Sequence, residues 1–158
     1  MNELSQSAQK VQKALLALKL PCQVIELPDS TRTAIEAAQS VGCQVGQIVK
    51  SLVFMGAESG RPILVVASGI NRVNETRLAL LAGESIKKAD SDFARTKTGF
   101  AIGGIPPVGL ANPILTFIDQ DLLAYPSVWA AAGTPHAVFE LDPAFLVQMT
   151  GGTVTTIK

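Results

Sequence analysis

Histidine is nearly missing from this 158-residue chain: it occurs once, at His136, and cysteine occurs twice, at Cys22 and Cys43. Two thiols without C-x-x-C spacing and one imidazole make no convincing four-ligand zinc site, so neither a metal nor another cofactor is expected. The cysteines read as reduced, mostly buried thiols. Net charge is missing too, because 13 Lys and Arg cancel 13 Asp and Glu. That argues against a protein that coats nucleic acid by charge alone, although not against one that grips a nucleotide end. Charged residues are few, 16% against 47% apolar, which excludes disorder. No apolar run approaches the ~20 residues of a membrane span. The opening MNELSQSAQKVQKALLALKL lacks the continuous apolar core of a signal peptide. A soluble, cytoplasmic protein without a membrane partner is the expectation. Repeats, low-complexity tracts and linkers are also missing, so residues 1–158 are expected to form one domain.

What is present is a succession of short, well-signed elements. Val11, Leu15, Leu16 and Leu18 give residues 4–19 a helical period, and CQVIEL then alternates as a strand. TAIEAAQSVG carries a capping box at Thr33 and Glu36 and a stop at Gly42. QIVKSLVFM and PILVVASG, joined by AESGR, read as a central hairpin. NETRLALLAG is a helix capped by Asn74 and closed by Gly83; SIKKAD is a short strand, and Asp90 caps SDFARTK. TGFAIGGIPPVG reads as a strand running into a glycine-proline turn. ILTFID, SVWAAAG, HAVFELD and TVTTI are further strands. DPAFLVQMTG is a helix with Asp142 as cap and Pro143 at its first position. About seven strands and five helices without strict βαβ alternation predict an α+β fold, one compact domain with a mixed, largely antiparallel sheet surrounded by helices.

Three features could carry chemistry. Lys50 lies inside an apolar strand, where Ile48, Leu52 and Phe54 share its face. Its ammonium either snorkels to solvent from an edge, waits in a cleft for an anion such as phosphate, or acts as a deeply buried base. Gly103 and Gly104 could aim successive amides at an anion or oxyanion, or simply make a rigid turn before Pro106 and Pro107. His136 follows a Gly-Thr-Pro turn at a rim and has no serine in a nucleophile-elbow context beside it. Trp129 and Phe139 read as core. Arg72, Arg77, Lys87, Lys88, Arg95 and Lys97 form either a local basic rim or scattered solvated charge.

Taken in order, TAIEAA, IVKSLVF, GFAIGGIPPVG and VWAAAGTPHAVFELDPAFLVQMTGG resemble the YbaK/prolyl-tRNA-synthetase-associated editing family, from about Cys22 to the C-terminus. The resemblance implies that family's fold and an aminoacyl-tRNA deacylase that hydrolyses the ester of mischarged tRNA in trans, with tRNA for proline as a candidate. It implies Lys50, Gly103 and Gly104 as catalytic residues, the lysine on the 3′-terminal nucleotide and the glycine amides by the scissile carbonyl. Thr33, Ser51, Ile105, Pro106, Pro107, Gly109 and His136 would then contact substrate. Partners would be the acceptor end of a mischarged aminoacyl-tRNA and, as a further candidate, an aminoacyl-tRNA synthetase. Pro106 departs from the small polar residue that relatives often carry, which leaves the amino acid open. A non-catalytic module for tRNA ends or nucleotides and a synthetase-associated interaction domain are the alternatives.

Overall fold

The computed structural model describes residues 4–158. In chain order its elements are α1 (Gln6–Ala17), β1 (Val24–Glu26), α2 (Ala34–Val41), β2 (Ile48–Gly56), β3 (Pro62–Ser68), α3 (Glu75–Ala82) and β4 (Ile86–Lys88). There follow α4 (Ser91–Thr98), β5 (Leu115–Asp119), β6 (Val128–Ala131), β7 (Ala137–Leu141), α5 (Phe145–Thr150) and β8 (Thr153–Thr155). Helix starts follow side-chain chemistry: Thr33, Asn74 and Asp90 each accept an N–H from the first turn, the N-cap bond that satisfies an orphan donor.

One sheet runs in the order β1-β7-β6-β2-β3-β5-β8, with β4 pairing the far end of β2. β2–β3, β2–β4, β6–β7 and β1–β7 are antiparallel, while β2–β6, β3–β5 and β5–β8 are parallel. This is the mixed α+β architecture expected. β3 sits at the centre, and Ile63 to Ala67 are inaccessible to solvent. Leu64 and Val66 pack with Val11, Leu15, Ala94 and Leu146 of α1, α4 and α5. Ile63 and Val65 face the other way, onto Leu78 and Ala82 of α3, and Ala37 and Ala38 of α2 pack on Ile48. Each fully buried Val, Leu or Ile contributes about 1.5–3 kcal/mol over its exposed state.

Two local expectations are corrected. Residues 99–109 form no strand; Phe100, Ile105 and Val108 are buried as anchors of an irregular loop instead. Gly103 has a left-handed φ of 94°, and Pro106 and Pro107 have no N–H to give a ladder. The last helix begins at Phe145, because Asp142 caps a preceding turn by accepting from the Ala144 N–H.

The β2–β3 turn is held from outside by Glu84. Its carboxylate accepts from the N–H groups of Glu58 and Ser59, the Ser59 hydroxyl and Arg61 Nε, all within 2.7–3.0 Å. The Ser59 bonds foremost pull its pKa to about 2 from 4.5. A depressed carboxylate stabilises the fold above its unfolded pKa, and that contribution fades as pH falls through the folded one. Glu84→Gln is therefore expected to lower Tm at neutral pH. The gap to wild type should shrink between pH 4.5 and about 2, and a gap constant across that range would disprove the assignment.

Candidate active site

β2 is the strand around which the site is built. It pairs with β6 only at Ile48 and Val49, and with β4 only from Phe54 onward. Residues 50–53 therefore have a strand partner on the β3 side alone. Gly56 donates to Arg61 across the hairpin and Ala57 donates to Ser85, so odd-numbered residues of β2 aim their backbone groups away from β3. The backbone groups of Ser51 and Val53 thus face a gap in the sheet. A cleft of about 440 Å³ opens there, in the range of small-molecule sites. Its walls are the start of α2 (Thr31 to Ile35), β2, β6 at Trp129, and the loop at Ile102, Gly103 and Ile105.

Lys50 lines this cleft, half-buried, and its Nζ donates to the main-chain oxygen of Asn71 at 3.0 Å. Burial lowers its pKa from the usual lysine value; Asp119 pulls upward and Arg72 adds to the lowering. The ammonium is thus partly desolvated and has capacity for two further acceptors. Ser51 Oγ is buried and has no hydrogen-bond partner among the described residues. Gly103 lies opposite, and its N–H makes no hydrogen bond with the described residues.

The two glycines are bonded differently. Gly104 donates its N–H to Ala101 and its carbonyl receives the Gly133 N–H, so it ties the loop down behind the cleft and offers no amide to it. Thr33, Ser51 and Ile105 line the cleft with Lys50 and Gly103, whereas Pro106, Pro107, Gly109 and His136 do not. Both prolines are buried in the loop's base, and Gly109 approaches Ala14 of α1. His136 is exposed in the β6–β7 turn, where its N–H meets Thr134 Oγ1.

Sequence reasoning missed Arg32 and the second role of Trp129. Arg32 is exposed at the mouth, so close to Gly103 that a Cβ there would lie 3.2 Å from Arg32 Cγ. Trp129 is half-buried: it packs against the core cluster of Ala37, Ala38 and Ile48 and also forms part of the cleft wall. Exposed Ile35 and Ile102 rim the opening. An exposed aliphatic on a helix start and another in a glycine loop gave no signal until the fold brought them together.

Known proteins resemble this chain in sequence and in fold. A solved structure described as that of a candidate trans-editing enzyme for prolyl tRNA synthetase is 50% identical, with a TM-score of 0.93 over 99% of each chain. The protein YwhH of Bacillus subtilis is 30% identical over 125 residues, 79% of each chain. EbsC of Enterococcus faecalis, named as a candidate Cys-tRNA(Pro)/Cys-tRNA(Cys) deacylase, is 26% identical over 76% of this chain and 73% of its own. The proline--tRNA ligase of Limosilactobacillus fermentum matches 57% of this chain at 33% identity, but only 16% of its own length. Residues 28–149 match the family model described as the aminoacyl-tRNA editing domain, and the chain belongs to that family.

Proposed function

We propose that residues 1–158 form one editing unit that hydrolyses the ester of mischarged aminoacyl-tRNA in trans, with tRNA for proline as its substrate. The observation that carries this reading is that Lys50 and Gly103 line one cleft at the open edge of β2. An aminoacyl ester is already activated, so the site needs no strong nucleophile. It needs a held carbonyl and a water, or a ribose hydroxyl, in line with it. The Lys50 ammonium suits a terminal phosphate, and the Gly103 N–H, without a hydrogen bond among the described residues, suits the ester oxygen or the aminoacyl group. Ile48, Val49, Ala130 and Val138 leave an apolar interior for a small side chain. The names of EbsC and of the 50%-identical structure support both the chemistry and the proline tRNA.

The test is deacylation of Ala-, Cys-, Ser- and Thr-charged tRNA for proline by the purified chain. Turnover of at least one is expected. No turnover of any would sink the enzyme reading, and tight binding without turnover would favour a non-catalytic module.

Arg32 extends the cationic side of the mouth toward the incoming strand. Arg32→Ala is expected to raise KM with kcat nearly unchanged. It should also flatten the plot of log kcat/KM against log salt by about 0.7 to 1, the signature of one lost phosphate contact. An unchanged salt slope would remove Arg32 from the substrate path.

A further inference from the structure

We infer that Asp119 is a positioning residue: through Asn71 it fixes the carbonyl that receives the Lys50 ammonium, and its carboxylate is the counter-charge behind that ammonium. The inference rests on the editing reading of the cleft and adds the device that aims its cation.

Asp119 ends β5 and is 1% exposed. Its Oδ2 accepts from the Ser68 N–H at 3.0 Å and from Asn71 Nδ2 at 2.8 Å, and its Oδ1 from the Asp121 N–H at 2.9 Å. Asn71 Nδ2 also donates to Asp121 Oδ2 at 2.8 Å, and Lys158 Nζ closes the chain on the same oxygen at 2.9 Å. The Asn71 side chain is thus clamped between two carboxylates while its own main-chain oxygen holds Lys50 Nζ.

Capping the turn at Gln120–Ala124 explains the Asp121 bond, but asparagine or serine would cap as well without burying a charge. A buried carboxylate is costly unless its charge is used, and among the described residues no cation pairs with Asp119 directly. The charged groups to weigh are Asp119 on β5 and Arg72 before α3, which act on Lys50, Asp121 in the turn after β5 and Lys158 after β8, which lie on the chain behind Asn71, and Arg32 before α2 on the same cleft. Of these only Asp119 is fully buried, so solvent screens it least. Its effect on Lys50 is upward, against burial and Arg72.

The experiment uses the full chain as wild type, Asp119→Asn and Asn71→Ala. Lys50 is titrated by NMR of its labelled side chain, assigned with Lys50→Met, and the pH profile of kcat/KM is measured on one mischarged tRNA. Asp119→Asn is expected to move the Lys50 titration, and with it the alkaline limb of the profile, to lower pH. Asn71→Ala is expected to lower kcat/KM about tenfold with little change in Tm. A merely structural Asp119 would change Tm and leave both titrations in place, and that result overturns the inference. Should Asp119→Asn fail to fold, an unchanged kcat/KM and Lys50 signal in Asn71→Ala overturns it equally. Absence of deacylation in wild type would sink the editing reading instead, while the NMR titration still decides the role of Asp119.

Discussion

Lys50→Met is expected to cut kcat/KM on a mischarged tRNA by about 10²-fold or more while leaving Tm unchanged or slightly raised. The two halves come from one fact: the ammonium is half-buried with a single acceptor, the Asn71 carbonyl, and no salt-bridge partner among the described residues. Burial lowers the pKa of Lys50 below 10.5. Between that lowered value and 10.5 the unfolded chain binds the extra proton, so this group makes the fold more stable as pH rises through the window. At neutral pH the charge is therefore a cost to folding, and removing it relieves that cost. Methionine has similar length and sits well among Ile48 and Leu52 on the same face of β2. The freed carbonyl of half-buried Asn71 can take water. Activity loses what stability does not, because a cation held ready for a phosphate is pre-organised at the expense of its own hydration. A kcat/KM within about threefold of wild type would show that the cation takes no part. A fall in Tm of several degrees would show that its role is structural.

How much of this was legible before the fold was known depends on the range of the interaction. The β2–β3 hairpin and four of the five helices follow from local signals: apolar runs, Thr33, Asn74 and Asp90 as caps, and glycines at the helix ends. Lys50 was legible because a charge in the middle of an apolar strand contradicts its surroundings. The Asp119–Asn71 contact was not. It joins residues 48 apart in sequence and exists only because β5 lies parallel to β3, which sets the end of one strand beside the loop leaving the other. Arg32 before a helix looks like any solvated charge until Gly103 folds over it. His136 drew notice by its rarity; the fold leaves it exposed in the β6–β7 turn, beside the cleft rather than in its lining. FAIGGI read as a strand because its first and last apolar residues, Phe100 and Ile105, are real core residues, although Ile102 between them is exposed. They anchor a loop, and burial alone does not distinguish the two.

Gly104→Ala is expected to be the most damaging single-methyl change in the loop, and the reason separates it from its neighbour. Gly104 has no left-handed φ, so alanine could adopt its backbone conformation without strain. The obstacle is space: a Cβ there would lie 2.8 Å from Thr134 N and Cα and 2.9 Å from Gly133 C, all backbone of the β6–β7 turn. Backbone cannot rotate aside as a side chain can. Either the turn or the loop must move, which stretches the 2.8 Å bond from Gly133 N–H to the Gly104 carbonyl. Overpacking plus a weakened hydrogen bond costs about 2–4 kcal/mol, roughly 5–15 °C in Tm for a chain of this size. Displacing the loop by about 1 Å would also pull Gly103 and Ile105 off the cleft, and kcat/KM measured well below Tm should fall about 10²-fold. At Gly103 the situation is reversed. Its φ of 94° is unfavourable for alanine, by about 1–2 kcal/mol, but the contact is only the flexible stem of Arg32. Gly103→Ala should therefore lose less Tm than Gly104→Ala. The reverse order of Tm values would mean that the loop is not docked on the β6–β7 turn, and the cleft would lose the wall that gives it its shape.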